Sequence, residues 1–203
     1  MHAGTVLLLL STLLSSPGDG SAGDHLVAGA NAFRNARYDE ALVEFRVAQA
    51  LGSADAAPYA AASLVKLGRA ADAVEAFGAN GGGHDALLDY YHALACYEAR
   101  LYLCADSILA GVGERSGPQV AEQAARTRAA IAAELAKEPP QASIDWYLTR
   151  CAEQGDAGRP VLALAYCREA VGLSERRADR YRFSEAASRL ASLTGAGHPG
   201  TVR

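Results

Sequence analysis

The sequence has few aromatic residues and no excess of basic ones, and both shortages limit what the protein can be. Aromatic residues make up 7% of 203 residues, with a single Trp. Acidic residues outnumber basic ones by 23 to 19, which gives a net charge of -4. Because a phosphate backbone selects a basic surface, we do not expect nucleic acid as a partner. Half of the residues are hydrophobic, and much of that half is alanine and leucine, which favour helices.

The sequence also lacks the recognised catalytic and metal-binding motifs. It has no C-x-x-C pair, no H-E-x-x-H pair, and no Ser, His and Asp at a recognisable nucleophile spacing. The glycine-rich stretch 78–83 is not followed by Lys and Ser or Thr, so we predict a flexible connection rather than a phosphate-binding turn. His84 and His92 are more than two helical turns apart, too far to share one tetrahedral ion. We therefore predict no enzyme activity, no cofactor and no metal; an enzyme with a dispersed site would need converging acid and base groups.

The first 22 residues are typical of a secretory signal peptide. An apolar run from Val6 to Leu14 is followed by helix-breaking Pro17 and Gly18, and small residues continue to Ala22. The run is too short to cross a bilayer, so cleavage near Ala22 would leave a periplasmic or secreted chain without a transmembrane segment. Because no Lys or Arg precedes the run, an apolar arm on a cytosolic protein is the alternative.

One arrangement of small and bulky residues returns every 32 residues. A small residue on a second helix is followed four positions later by a bulky one on the same face. A further small residue precedes them on the first helix, and small residues let two helix axes approach closely. We expect these nine residues to pack the paired helices: Gly29, Ala41, Phe45, Ala61, Ala73, Phe77, Ala93, Ala105 and Leu109.

This arrangement resembles the tetratricopeptide repeat, a helix-turn-helix unit of about 34 residues with A-x3-F in its second helix. The resemblance covers about residues 24–113, although the tryptophan and the closing proline of the family's unit are missing. It implies an all-α solenoid of antiparallel helix hairpins. The predicted repeat domain, 23–194, begins with three regular units: 24–53, 54–84 and 85–116.

The period breaks in the remaining part of that domain, the irregular helices of 118–194. Ala163 and Ala170 repeat the spacing of Ala41 and Ala48, with Cys167 at the bulky position, which predicts a degenerate hairpin. A last helix over about 176–193 has a polar, arginine-rich face, as expected of a cap on a solenoid. We expect the tail 195–203 to be disordered.

A second stripe of residues recurs on the first helix of each unit, apolar and tyrosine-rich with charged edges. The resemblance implies that this stripe lines a concave groove, where such proteins take extended or helical peptides. We predict a non-catalytic scaffold that binds a partner protein there. The alternatives are a stripe buried as internal core, and an envelope component that self-associates through it. The predicted groove residues are Leu26, Phe33, Arg34, Val65, Lys66, Tyr90, Leu94 and Tyr97.

The four cysteines form two pairs, each placed symmetrically about a predicted hairpin turn. Cys96 and Cys104 are equally far from Arg100, and Cys151 and Cys167 flank the next predicted turn. Symmetric positions lie level across an antiparallel hairpin, and a bridge needs alpha carbons within about 7 Å. In an oxidising compartment two local disulfides would follow. The alternative is buried free thiols that act as small hydrophobic residues.

Overall fold

The computed structural model describes residues 20–79, 85–137 and 141–194. Those residues are all-helical, with no β-strand in any of the three ranges, which confirms the predicted all-α class. Short turns join most of the helices into antiparallel pairs. The helices are α1 (Gly20–Arg34), α2 (Tyr38–Ala50), α3 (Ala56–Lys66), α4 (Ala70–Ala79), α5 (Ala86–Glu98), α6 (Tyr102–Arg115), α7 (Pro118–Ala136), α8 (Gln141–Asp156), α9 (Pro160–Arg176) and α10 (Arg180–Thr194).

Several predictions concern residues outside the described ranges. Most of the predicted signal peptide, 1–22, lies outside them, and α1 already begins at Gly20, before the predicted cleavage position. The predicted flexible connection lies outside them from residue 80 to 83, as does the predicted disordered tail 195–203. Every helix of the described part is too short or too polar to span a lipid bilayer.

Four hairpin turns have the same backbone conformation. In each turn one residue has positive φ, and the N–H of the next residue donates to the carbonyl five positions earlier, a Schellman motif that ends the first helix. The positive-φ residues are Ala36 (58°), Gly68 (71°), Arg100 (63°) and Gly158 (70°). The corresponding bonds are Arg37 to Ala32, Arg69 to Leu64, Leu101 to Cys96 and Arg159 to Gln154, at 2.8 to 2.9 Å.

The alanines that follow these turns occupy equivalent positions. The four residues are each 0% exposed: Ala41, Ala73, Ala105 and Ala163. Each donates its backbone N–H to the carbonyl oxygen of the residue that immediately precedes its helix. All nine predicted packing residues are buried. In the first hairpin a Cβ on Gly29 would lie 2.8 Å from the Phe45 ring. Only glycine lets the two helices approach this closely.

The helices pack in chain order until α7 and then turn back. Each helix from α1 to α7 contacts the next, and α3 contacts α5 as α5 contacts α7. The α8–α9 hairpin does not continue this row. Instead, α9 packs against α4 and α6, the second helices of the second and third hairpins, while α10 packs against α9.

Two glycines allow α9 to lie close to those second helices. A Cβ on Gly78 of α4 would clash with Val161 of α9, and a Cβ on Gly172 of α9 would clash with Leu103 of α6. An ion pair between Arg159 and an Asp72 oxygen, 2.8 Å apart, joins the start of α9 to α4. These contacts hold α9 against α4 near its start and against α6 near its end.

The last helix begins later than the sequence predicts. The expected start near residue 176 lies in the final turn of α9, and α10 begins at Arg180. Ala178 has φ of 54°, and the Asp179 carboxylate accepts the Arg182 N–H at 3.0 Å. This pairing starts a new helix because a side-chain oxygen satisfies one of its free N–H groups.

Candidate functional site

The structure divides the eight predicted groove residues between the core and the surface. Three are buried: Leu26, Val65 and Tyr90. Three are partly buried and pack against the core: Phe33, Leu94 and Tyr97. Two are exposed: Arg34 and Lys66. The stripe is therefore neither a fully open groove nor a fully covered core.

Tyr90 is buried because α7 packs beside α5. Its hydroxyl donates to Gln123 Oε1 at 3.2 Å, and burial raises the pKa of Tyr90. A buried tyrosine hydroxyl needs such a partner. Because α7 covers Tyr90, a partner protein can reach less of the α5 surface than the sequence predicts.

Aromatic rings and one lysine form a cluster between the first and third hairpins. The Phe33 ring packs edge-on against Tyr38 and Tyr91, with centroids 5.3 and 5.7 Å apart. The Lys66 Nζ atom lies 5.9 Å from the Tyr38 centroid and 5.5 Å from the Tyr91 centroid. Burial lowers the pKa of Lys66, and Glu98 opposes that shift. A cation over aromatic faces is stabilised electrostatically, so the cluster holds Lys66 in place.

Three charged residues stand in a row at one position of successive first helices. Arg34, Lys66 and Glu98 are 32 residues apart and all exposed. Burial raises the pKa of Glu98, and the Lys66 charge lowers it. We call the surface around this row the first-helix face. Its members are Phe33, Arg34, Lys66, Leu94, Tyr97 and Glu98.

The Cys151–Cys167 pair forms a disulfide with alpha carbons 5.3 Å apart. Counted from Ala163, Cys151 stands where Gly29 stands in the first hairpin, and Cys167 stands where Phe45 stands. A covalent bond thus replaces the contact of a small residue with a bulky one. Counting twelve positions back from Ala163 would have found this correspondence in the sequence.

The other two cysteines are free thiols in contact. The Sγ atoms of Cys96 on α5 and Cys104 on α6 are 2.8 Å apart. Cys96 is 0% exposed, whereas Cys104 is partly exposed. Their hydrogen bond lowers the pKa of Cys104 and, together with burial, raises the pKa of Cys96. Cys104 is therefore the more readily ionised thiol.

A buried carboxylate lies beside these thiols. Glu169 of α9 is 2% exposed and accepts the N–H groups of Leu103 at 2.7 Å and Cys104 at 3.3 Å. Burial raises the pKa of Glu169 to about 7, although these N–H groups favour its ionised form. Glu169 was not among the site residues predicted from the sequence. Its position three after Tyr166 and four before Leu173 on an apolar stripe is the signal that identifies it.

Glu75 plays a corresponding role on α4, and it too was not predicted. Its carboxylate accepts the Leu162 N–H at 2.8 Å and the Val161 N–H at 3.4 Å at the start of α9. Free N–H groups and the helix dipole favour a negative charge there. No local sequence signal predicts this contact, because 86 and 87 residues separate the partners.

The imagined histidine site is not assembled by the described residues. His84 lies outside the described ranges, and the His92 ring stacks on Phe77 with centroids 4.9 Å apart. Asp85 caps α5 by accepting the Leu88 N–H at 2.9 Å. Asp89 pairs with Arg115 at 2.8 Å. Across the described ranges, no three metal-ligating side chains are grouped closely enough to hold an ion.

A cleft of about 590 Å³ lies along α6, α7 and the end of α9. Its lining is largely apolar, with Ile131 and Leu135 among its members. Asp106 and Arg128 line it too, and they pair with each other at 2.8 Å.

No protein-family model, curated protein or solved structure matches the chain.

Proposed function

We propose that the protein is a non-catalytic interaction scaffold of the tetratricopeptide-repeat type, which binds a peptide or helix of a partner protein on the first-helix face. One observation carries this proposal. The returning helix α9 packs on α4 and α6, which are second helices, while Arg34, Lys66 and Glu98 stay exposed on the first helices. The fold-back therefore occupies the opposite helices and leaves a charged, partly aromatic row accessible.

The repeated backbone geometry supports the solenoid part of the proposal. The turns and the buried alanines match in four hairpins, as expected of one repeated hairpin unit, and the first three hairpins stack in chain order. The direct contacts from α3 to α5 and from α5 to α7 add a row of first helices. In solenoids such a row is the usual binding surface.

The charges define the kind of ligand that would fit. Arg34 and Lys66 place two cations on α1 and α3, and Glu98 places an anion on α5. Between them the partly buried Phe33, Leu94 and Tyr97 offer apolar surface. An amphipathic helix with an apolar stripe, acidic at one end and basic at the other, satisfies this pattern.

We further propose that the protein acts outside the cytosol. A disulfide persists in oxidising compartments and is rare in the cytosol, and the structure contains the Cys151–Cys167 disulfide. The predicted signal peptide agrees with this location. Envelope extract is consequently the appropriate source of a partner.

Site-specific photo-crosslinking tests the proposed surface. A photoreactive residue is placed at Arg34 or Glu98, and at Val43 of α2 as the control, since Val43 is 58% exposed on a second helix. We expect one partner adduct from positions 34 and 98, and none from position 43. Lys66→Glu should weaken that adduct by reversing the central charge.

Two outcomes would contradict the proposed surface. Equal labelling from position 43 would show that the first-helix face is not selective. An adduct of twice the chain mass from positions 34 and 98 would favour self-association, which sedimentation equilibrium over a range of concentrations would then establish.

A further inference from the structure

Cys96, Cys104 and Glu169 bring together two thiols and a titratable carboxylate, groups that can support thiol–disulfide exchange. Cys104 is partly exposed, Cys96 is buried against it with the two Sγ atoms 2.8 Å apart, and the buried Glu169 carboxylate accepts the backbone N–H of Cys104. The groups come from three helices, α5, α6 and α9, so the spacing of the cysteines along the chain gives no known motif. We propose that they form a thiol–disulfide exchange site, in which Cys104 attacks a disulfide-bearing substrate and Cys96 resolves the product.

Cys104 is placed to attack. It is the third residue of α6, where the N-terminal end of the helix dipole stabilises a thiolate. The hydrogen bond from Cys96 lowers the pKa of Cys104, and the Arg168 charge adds to this, although burial and the Glu169 charge oppose it. Cys104 is partly exposed whereas Cys96 is fully buried, so Cys104 is the more accessible of the two to a substrate sulfur.

We assign Glu169 as the proton acceptor of the resolving thiol, because its carboxylate acts electrostatically on Cys96. The Leu103 and Cys104 N–H groups hold its carboxylate, and its pKa of about 7 suits a proton acceptor near neutral pH. The other charged or titratable groups that influence these three are Arg168 and Arg176 on α9, Tyr147 on α8, and Tyr166 on α9.

The exchange proceeds in two balanced steps. The Cys104 thiolate attacks one sulfur of the substrate disulfide; a mixed disulfide forms, the substrate S–S bond breaks, and the leaving thiolate takes a proton from water. Cys96 then loses its proton to Glu169 and attacks Cys104 Sγ, which forms the Cys96–Cys104 disulfide, breaks the mixed disulfide and releases the second substrate thiolate. This thiolate takes a proton from water, and Glu169 returns its proton to the solvent. Two electrons pass to the substrate, which is reduced to two thiols, while the protein dithiol is oxidised.

The Cys151–Cys167 disulfide is the internal reference for this site. Both of its sulfurs belong to residues at most 2% exposed, so an exchanging thiol has little access to them. We expect it to stay oxidised under conditions that convert the Cys96–Cys104 pair in both directions.

Glutathione redox buffers and peptide-level mass spectrometry after alkylation test the exchange on the full chain. We expect Cys96 and Cys104 to shift together from two thiols to a disulfide as the oxidised fraction rises. Cys96→Ser should accumulate a mixed disulfide with glutathione on Cys104, whereas Cys104→Ser should leave Cys96 unmodified. The proposal is overturned if the pair remains two thiols in excess oxidised glutathione, or if Cys96 in Cys104→Ser is modified as fast as Cys104 in Cys96→Ser.

Stopped-flow measurement of the resolving step tests Glu169 as a positioning and proton-accepting residue. Glu169→Gln should slow that step about a hundredfold at neutral pH and remove its rise with pH near 7. Glu75→Gln is the matched control, because Glu75 also caps a helix N-terminus but contacts α9 instead of the thiols. An unchanged rate and pH profile in Glu169→Gln, or an equal loss in Glu75→Gln, would remove Glu169 from the site.

Discussion

The first and the fourth hairpins solve one packing problem with different chemistry. In the first, Gly29 lets the Phe45 ring fill the space between two helices; in the fourth, Cys151 and Cys167 join the equivalent positions covalently. The reason lies in their surroundings. The first hairpin stacks on α3 through α2, whereas α8 packs mainly on α9. Its other contacts include hydrogen bonds, from Tyr147 to the Arg100 carbonyl and from Arg182 of α10 to Asp145. A helix that packs mainly on one neighbour gains most from a covalent bond to that neighbour.

We expect the largest loss of stability when the non-covalent contact of the first hairpin is removed. Phe45→Ala should lower the free energy of unfolding by about 4 kcal/mol, because the Phe45 ring is 0% exposed and its removal leaves a cavity in the core. Urea unfolding followed by circular dichroism measures the loss. Val43→Ala, on the same helix but exposed, should change stability by less than about 0.5 kcal/mol. Similar losses in both variants would remove the special role of the Gly29–Phe45 contact.

The covalent contact should have the next largest effect, confined to a different region. Cys151→Ala/Cys167→Ala opens a link with a sequence separation of 16, which corresponds to about 3 kcal/mol. Hydrogen exchange should become faster in α8 and stay unchanged in α1 to α4, because α8 depends on α9. Uniformly faster exchange along the chain would show instead that the fold-back and the regular hairpins unfold as one unit.

The buried carboxylate between α9 and α6 makes the stability of the fold depend on pH. The pKa of Glu169 rises from 4.5 to about 7 on folding, so the folded state binds more protons between these values. This contribution is absent below pH about 4.5 and destabilises the fold progressively up to pH about 7, by about 3 kcal/mol. Compared with the wild type, Glu169→Gln should lose less stability over that range in urea unfolding at each pH. Parallel curves would contradict the shift.

The smallest expected effects come from the turns and have opposite signs. Ala36 and Gly68 both have positive φ, a conformation that costs a non-glycine residue about 1 kcal/mol. Ala36→Gly should therefore stabilise the protein and Gly68→Ala should destabilise it, by about 1 kcal/mol each. Thermal unfolding measures both. A change of the same sign in the two variants would show that the turns are not equivalent.

Much of the helical arrangement could be predicted because it depends on contacts within one hairpin. The periodic alanines and the bulky residues after them predict the helix pairs to within a few residues at each end. The turn geometry could not be predicted, because glycine usually marks a positive-φ position and two of the four turns have Ala36 and Arg100 there instead. Backbone hydrogen bonds stabilise those turns whatever the side chain.

The candidate sites were less predictable, because they are assembled by distant segments. Lys66 was found from the repeat, but its contact with the Tyr38 and Tyr91 rings depends on how three hairpins meet. The proposed exchange site needs Glu169, which lies 65 and 66 residues from the backbone groups it accepts. Sequence spacing describes one helix at a time, so it does not reveal such partners.

The sequence by itself determined the all-helical class and the repeated small-to-bulky contact, since helix periodicity and side-chain size act over a few neighbouring residues. Only the tertiary structure decided where the fourth hairpin lies, which thiols meet a carboxylate and which aromatic residues remain accessible. Those outcomes depend on the close approach of helices at Gly78 and Gly172, and on buried carboxylates that pair with helix ends far along the chain.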